Sequence, residues 1–115
     1  DFNSIKNLFL QSIEPLGKDT KLYYRGVIDK VNIKRSSDLR HGEAVIIRTN
    51  NIKTVFLTSN RLIDSDFIAY SHELGHVPAI DNTTHHDYYE YGEVLSMFLE
   101  YLSCSKHASS TLSDI

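Results

Sequence analysis

His72, Glu73 and His76 stand in the stretch AYSHELGHVPAID, residues 69–81, with the glutamate directly after the first histidine. Zinc favours nitrogen ligands in a tetrahedral arrangement, and a catalytic zinc site keeps one position open for water. Side chains at i and i+4 share one face of an α-helix, so His72 and His76 can point at one metal ion. At about 100° per residue, Glu73 falls beside His76, where it flanks a metal-activated water without being a ligand. A chance H-E-x-x-H in a chain of 115 residues is on the order of one in a few hundred from average residue frequencies. The bland alternative, two polar residues on the wet side of an amphipathic helix, has to meet that rarity. The chemistry expected is hydrolysis by metal-activated water, with Glu73 as general base.

The same helical wheel gathers Ile63, Phe67, Tyr70, Leu74 and Val77 on the side opposite the histidines. This helix can therefore bury one face and present the other. Asp64 or Ser65 is placed to cap its start, and Pro78 to end it after about Val77. Gly75 sits next to the histidine face. A glycine inside a helix costs about 1 kcal/mol relative to alanine, and close approach of another element is a reason to keep it.

Two histidines leave zinc one protein ligand short. The extended pattern H-E-x-x-H-x-x-G-x-x-H fails, because Ala79 and Asn82 occupy its last two positions. The next helix, expected from about Tyr88 to Ser103, is the source to search. On its wheel Tyr91, Leu95, Phe98, Leu99 and Leu102 form an apolar face, and Glu90, Glu93, Ser96, Met97 and Glu100 gather on the other. Glu90 and Glu100 also fit a solvated acidic face. Glu93 follows Gly92 and lies 17 residues after His76, room for a turn and an antiparallel return. Glu93 is the expected third ligand, with Glu90, Asp87 and His85 as successively weaker substitutes.

HELGH followed by GEVLSMFLEYL resembles the gluzincin zinc metallopeptidases, most closely the oligoendopeptidase F and thimet oligopeptidase group. Members of that group follow the histidine motif with a helix reading E-x-x-S-x-F-x-E, here Glu93, Ser96, Phe98 and Glu100. The stretch HGEAVIIRTNNIKTVFLTSN is similar to the paired strands that lead into their active-site helix, and the resemblance covers about residues 25–103. It implies zinc on His72, His76 and Glu93, Glu73 as base, and a hairpin strand that binds substrate backbone along its edge. The spacing from His76 to Glu93 is shorter than usual in that group. The downstream histidine and tyrosines that steady its oxyanion lie beyond what this chain contains. The sequence thus reads as a fragment or as a compact gluzincin. A regulatory peptidase of the ImmA/IrrE type shares the histidine motif and a later helical glutamate, so a zinc-binding regulatory or interaction domain without turnover is the competing assignment.

A carbonyl polarised by zinc benefits from a further donor to its developing charge. Tyr88, Tyr89, Tyr91, His85 and His86 are the nearest candidates, although tyrosines at a helix start more often pack or sit at a surface. His41 and His107 read as solvent-facing, and Cys104 as a small buried residue of the second helix.

Around these residues the chain supplies ordinary elements. Residues 1–14 place Phe2, Ile5, Leu8, Phe9 and Ile13 at helical spacing, with Pro15 and Gly17 as the stop. KLYYRGVIDKVNIK suits a helix or a pair of strands, and RSSDLRHGE reads as loop. AVIIRT (44–49) and KTVFLTS (53–59), separated by NNI, predict a β-hairpin. One α+β domain over residues 1–115 follows, with a polar tail from about 104 to 115.

Twelve Lys and Arg against fifteen Asp and Glu give a net charge of −3. That argues against nucleic acid or an anionic membrane as main partner, and leaves a peptide or protein substrate as the expected one. No apolar run approaches the roughly 18 residues of a membrane span, no signal peptide is visible, and one cysteine builds neither a disulfide nor a thiolate zinc site. A cytoplasmic setting is the expectation. The chain begins at Asp1 rather than methionine, which suits a processed product or an excised piece.

Overall fold

The computed structural model describes residues 2–37, 39, 44–58, 63–82 and 93–105. It is an α+β arrangement in which helices cover a three-stranded sheet. α1 (Phe2–Ser12) buries Ile5 and Phe9, and Ile13 behind them. Ser12 turns its hydroxyl back onto the Phe9 carbonyl at 2.7 Å, so the last turn of this helix keeps its buried polar group satisfied.

The stretch whose type was open divides in two. α2 (Lys18–Lys30) carries Asp19 in its first turn and Lys30 in its last, the charge order that the helix dipole favours. It buries Tyr24, Val27 and Ile28, and Val31 follows at the same spacing. β1 (Asn32–Ser36) comes next, so Arg35 and Ser36, expected in a loop, belong to a strand. β2 (Ala44–Thr49) and β3 (Ile52–Thr58) form the expected hairpin. Asn50 and Asn51 make its two-residue turn with φ of 53° and 66°, the left-handed pair that matches strand twist and that asparagine tolerates. β3 is central, paired antiparallel with β2 and parallel with β1.

α3 (Ile63–Gly75) lies against α1 and the sheet. Its Phe67, Tyr70 and Leu74 join Phe9, Val55 and Leu57 in the core, and the Phe9 ring meets Tyr24 and Tyr70 edge-on at 5.6 and 5.9 Å. Asp66 on the same helix is fully buried and bound to Arg35 Nη2 at 2.6 Å. Arg35 also donates to the Thr58 carbonyl and lies over the Phe2 ring, so one guanidinium ties α1, β1, β3 and α3 together. α3 stops at Gly75, and Pro78 does not end it: the proline stands in the first turn of a short α4 (Val77–Asn82), where its missing N–H is harmless. Residues 93–105 are helical, here α5, which extends past Ser103 into the expected tail. No helix among the described residues is long and apolar enough to cross a membrane.

α5 follows its hydrophobic pattern at Leu95, Leu99 and Leu102 and departs from it at Ser96 and Phe98. Ser96, Leu99 and Ser103 are fully buried, while Phe98 and Met97 are exposed, as is Cys104, against expectation. Ser96 had been placed on the polar face and Phe98 on the apolar one. The reason is a close helix contact. A Cβ on Gly75 would stand 2.4 Å from the Ser96 Cα and 2.7 Å from its N and Oγ. Small residues let the two backbones meet, and the bulky ones are rotated away.

Candidate metal centre

His72 and Glu73 occupy the last turn of α3. His76 sits just beyond it, at the break before α4. Its N–H donates to the Glu73 carbonyl at 3.1 Å and its carbonyl accepts from Ile80 at 3.0 Å, so the main chain of His76 closes one helix and opens the next. α4 is then held to the hairpin: Arg48 Nη1 donates to the Ile80 carbonyl at 2.8 Å, and Lys53 pairs with Asp81 at 2.7 Å. The second histidine is thus fixed from both directions although it lies outside the helix that was expected to carry it.

The Gly75–Ser96 contact sets where α5 begins its reach. Glu93, one turn before Ser96, puts Oε1 3.3 Å from His72 Nε2 and Oε2 3.2 Å from His76 Nε2. One ligand atom from each of His72, His76 and Glu93 lies within 4.8 Å of the others, close enough to hold a metal ion. Two imidazoles and one carboxylate are the donor set that zinc takes when a further position is left for water. Burial, followed by the neighbouring His72, holds His76 below the ordinary histidine range against the pull of Glu93, which favours the neutral, ligating form.

Glu73 is not in that triad. Its pKa is pushed up to about 7, first by burial and also by the Glu93 charge, while His72 and a hydrogen bond from the Ile46 backbone N–H oppose the rise. The hairpin explains that bond. Thr49 and Ile52 flank the two-residue turn and form the first bonded pair, so Val45, Ile47 and Thr49 spend their backbone groups on β3. Ala44, Ile46 and Arg48 then turn theirs outward from the sheet, and the Ile46 N–H meets Glu73. The structure therefore brings together all four residues singled out in the sequence. Of the weaker substitutes and oxyanion candidates, His85, His86, Asp87, Tyr88, Tyr89, Glu90 and Tyr91 lie outside the described residues, as do Gly92, His41 and His107.

Two participants were missed in the sequence. The Ile46 N–H has no side-chain signal at all. Glu100, left open between the face of Glu93 and a solvated one, has an oxygen 2.8 Å from His72 Nδ1; its position seven residues after Glu93, on the same helical face, was the available clue.

No protein-family model matches the chain, and neither a curated protein nor a solved structure matches it.

Proposed function

We propose that this chain is a zinc-dependent peptidase whose ligands are His72, His76 and Glu93 and whose general base is Glu73. The observation that carries the reading is the convergence of the three ligand atoms within 4.8 Å with a fourth, protonatable carboxylate beside them. Zinc held there would lower the pKa of a water molecule and polarise a carbonyl. The chain's own residues do the rest. Glu73, beside the three ligands, is placed to take a proton from the attacking water and give it to the leaving amine. The Ile46 N–H holds Glu73 against the sheet edge, so the base is positioned by backbone rather than by a mobile partner.

β2 is an edge strand, and the outward backbone groups of Ala44 and Arg48 flank the one that Glu73 uses. That suits an extended polypeptide added along the edge, with its main chain carried past the ligand cluster. The motif's likeness to the gluzincins supports the same assignment of residues.

The test is cleavage of a mixed peptide library by zinc-loaded protein, read by mass spectrometry. Cleavage that stops in Glu73→Gln while stoichiometric zinc is retained supports the peptidase. Stoichiometric zinc without cleavage at high protein concentration favours the zinc-holding interaction domain of the ImmA/IrrE kind. Zinc uptake unchanged by His72→Ala would sink both.

A further inference from the structure

We propose that Glu100 is the positioning residue of His72: it accepts the Nδ1–H, orients the ring and leaves Nε2 directed at Glu93, where it can take a metal ion. The inference rests on reading the His72, His76, Glu93 cluster as a metal site and adds a residue that acts through one of its ligands. The 2.8 Å contact between Glu100 Oε1 and His72 Nδ1 is a hydrogen bond accepted by the carboxylate when the ring proton sits on Nδ1. In a neutral imidazole the other nitrogen is then unprotonated. That nitrogen faces Glu93 Oε1 at 3.3 Å. Two acceptors at that distance repel unless a cation lies between them, whether a proton or a metal ion.

The two glutamates are seven residues apart, roughly 10.5 Å along the axis of α5, and address the two nitrogens of one ring from its two ends. A metal-bound histidine commonly donates its second N–H to a carboxylate, which orients the ring and raises its basicity. Here one helix supplies the ligand on one side of the imidazole and the orienting group on the other. A mere surface pair, with Glu100 about half exposed, would contribute little and leave the tautomer free.

The experiment joins nitrogen-15 NMR of histidine-labelled protein, without metal and with zinc, to zinc affinity measured by chelator competition. In the zinc-loaded wild type His72 is expected to carry its proton on Nδ1. In Glu100→Ala the zinc Kd should rise about 10–100-fold, with the His76 signals and the far-UV circular dichroism unchanged. Glu100→Gln, which keeps an acceptor oxygen but not the charge, should recover part of the affinity. An unchanged Kd in Glu100→Ala, or His72 found as the Nε2–H tautomer in the zinc-loaded wild type, overturns the proposal. So does loss of an oxygen from the zinc shell of Glu100→Ala by X-ray absorption, which would make Glu100 a ligand. A Glu100-dependent tautomer in a wild type that takes up no zinc would uphold the positioning role and reject the metal reading instead.

Discussion

On the core side of α3, Phe67, Tyr70 and Leu74 are at most 2% exposed and belong to the hydrophobic cluster. On the other side His72, Glu73 and, past the helix end, His76 are also largely covered, yet what covers them is charge: Glu93, Glu100 and one another. Enclosure stabilises the first set and, though less complete, works against the second. Burial of hydrocarbon is favourable in proportion to area, whereas burial of an ionisable group disfavours its charged form, as the pKa of about 7 at Glu73 records. Stability and chemistry are thus divided between the two sides of one helix.

That division can be broken from either side. The largest expected effect on the core side is Phe67→Ala, which should lower unfolding free energy by about 3–5 kcal/mol in urea titration while zinc affinity of the folded fraction stays within a few-fold. On the other side, Glu73→Gln should cut kcat by about 10²–10⁴ in a peptide-cleavage assay with no loss of stability. Gly75→Ala joins the two sides, because its methyl group would collide with the Ser96 backbone rather than with a movable side chain. We expect about 1–3 kcal/mol of destabilisation together with weaker zinc binding, since α5 must move away and take Glu93 with it. If zinc affinity is unaffected, the helix contact does not set the ligand geometry.

A separate effect concerns pH. The folded chain holds the Glu73 proton up to about 7, against 4.5 for the ordinary group, so the unfolded chain ionises first as pH rises. This group's contribution is present in full below about pH 4.5 and is lost as pH climbs through about 7. Metal-free Glu73→Gln, which has no such titration, should therefore gain stability over the wild type between those values and keep the advantage at about pH 8. Equal melting temperatures for the two proteins across that range would show that Glu73 is not held protonated.

Much of this division was readable in the residue spacing. The core face of α3, the hairpin and the grouping of His72, His76 and Glu93 follow from periodicity and turn chemistry, although Ile52, read as part of the connection, opens β3 and leaves Asn50 and Asn51 as the turn. α2 was ambiguous because Tyr23, Tyr24, Val27 and Ile28 are residues at home in strands, although the buried set Tyr24, Val27, Ile28 and Val31 keeps helical spacing. α5 misled for a different reason. A hydrophobic wheel ranks side chains by apolar bulk, and this helix is seated through Ser96 against a glycine, which leaves Phe98 outside. The end of α3 was set two residues late because proline was taken as a stop, when it equally suits a beginning. The Ile46 contact to Glu73 is made by a backbone group, whose direction depends on strand register and not on residue type.

The strand order carries a consequence for how the molecule comes into being. β3 is third in the chain but lies between the other two. Emerging from a ribosome, β1 and β2 have no strand to pair with until residues 52–58 arrive, and β1 must then wait across a separation of 22 residues, Asn32 finding Thr54. Non-local pairing of this kind is slow compared with closing a hairpin. The hairpin therefore leads, β1 docks onto it afterwards, and any nascent chain halted before β3 is complete exposes two sticky edges with nothing between them.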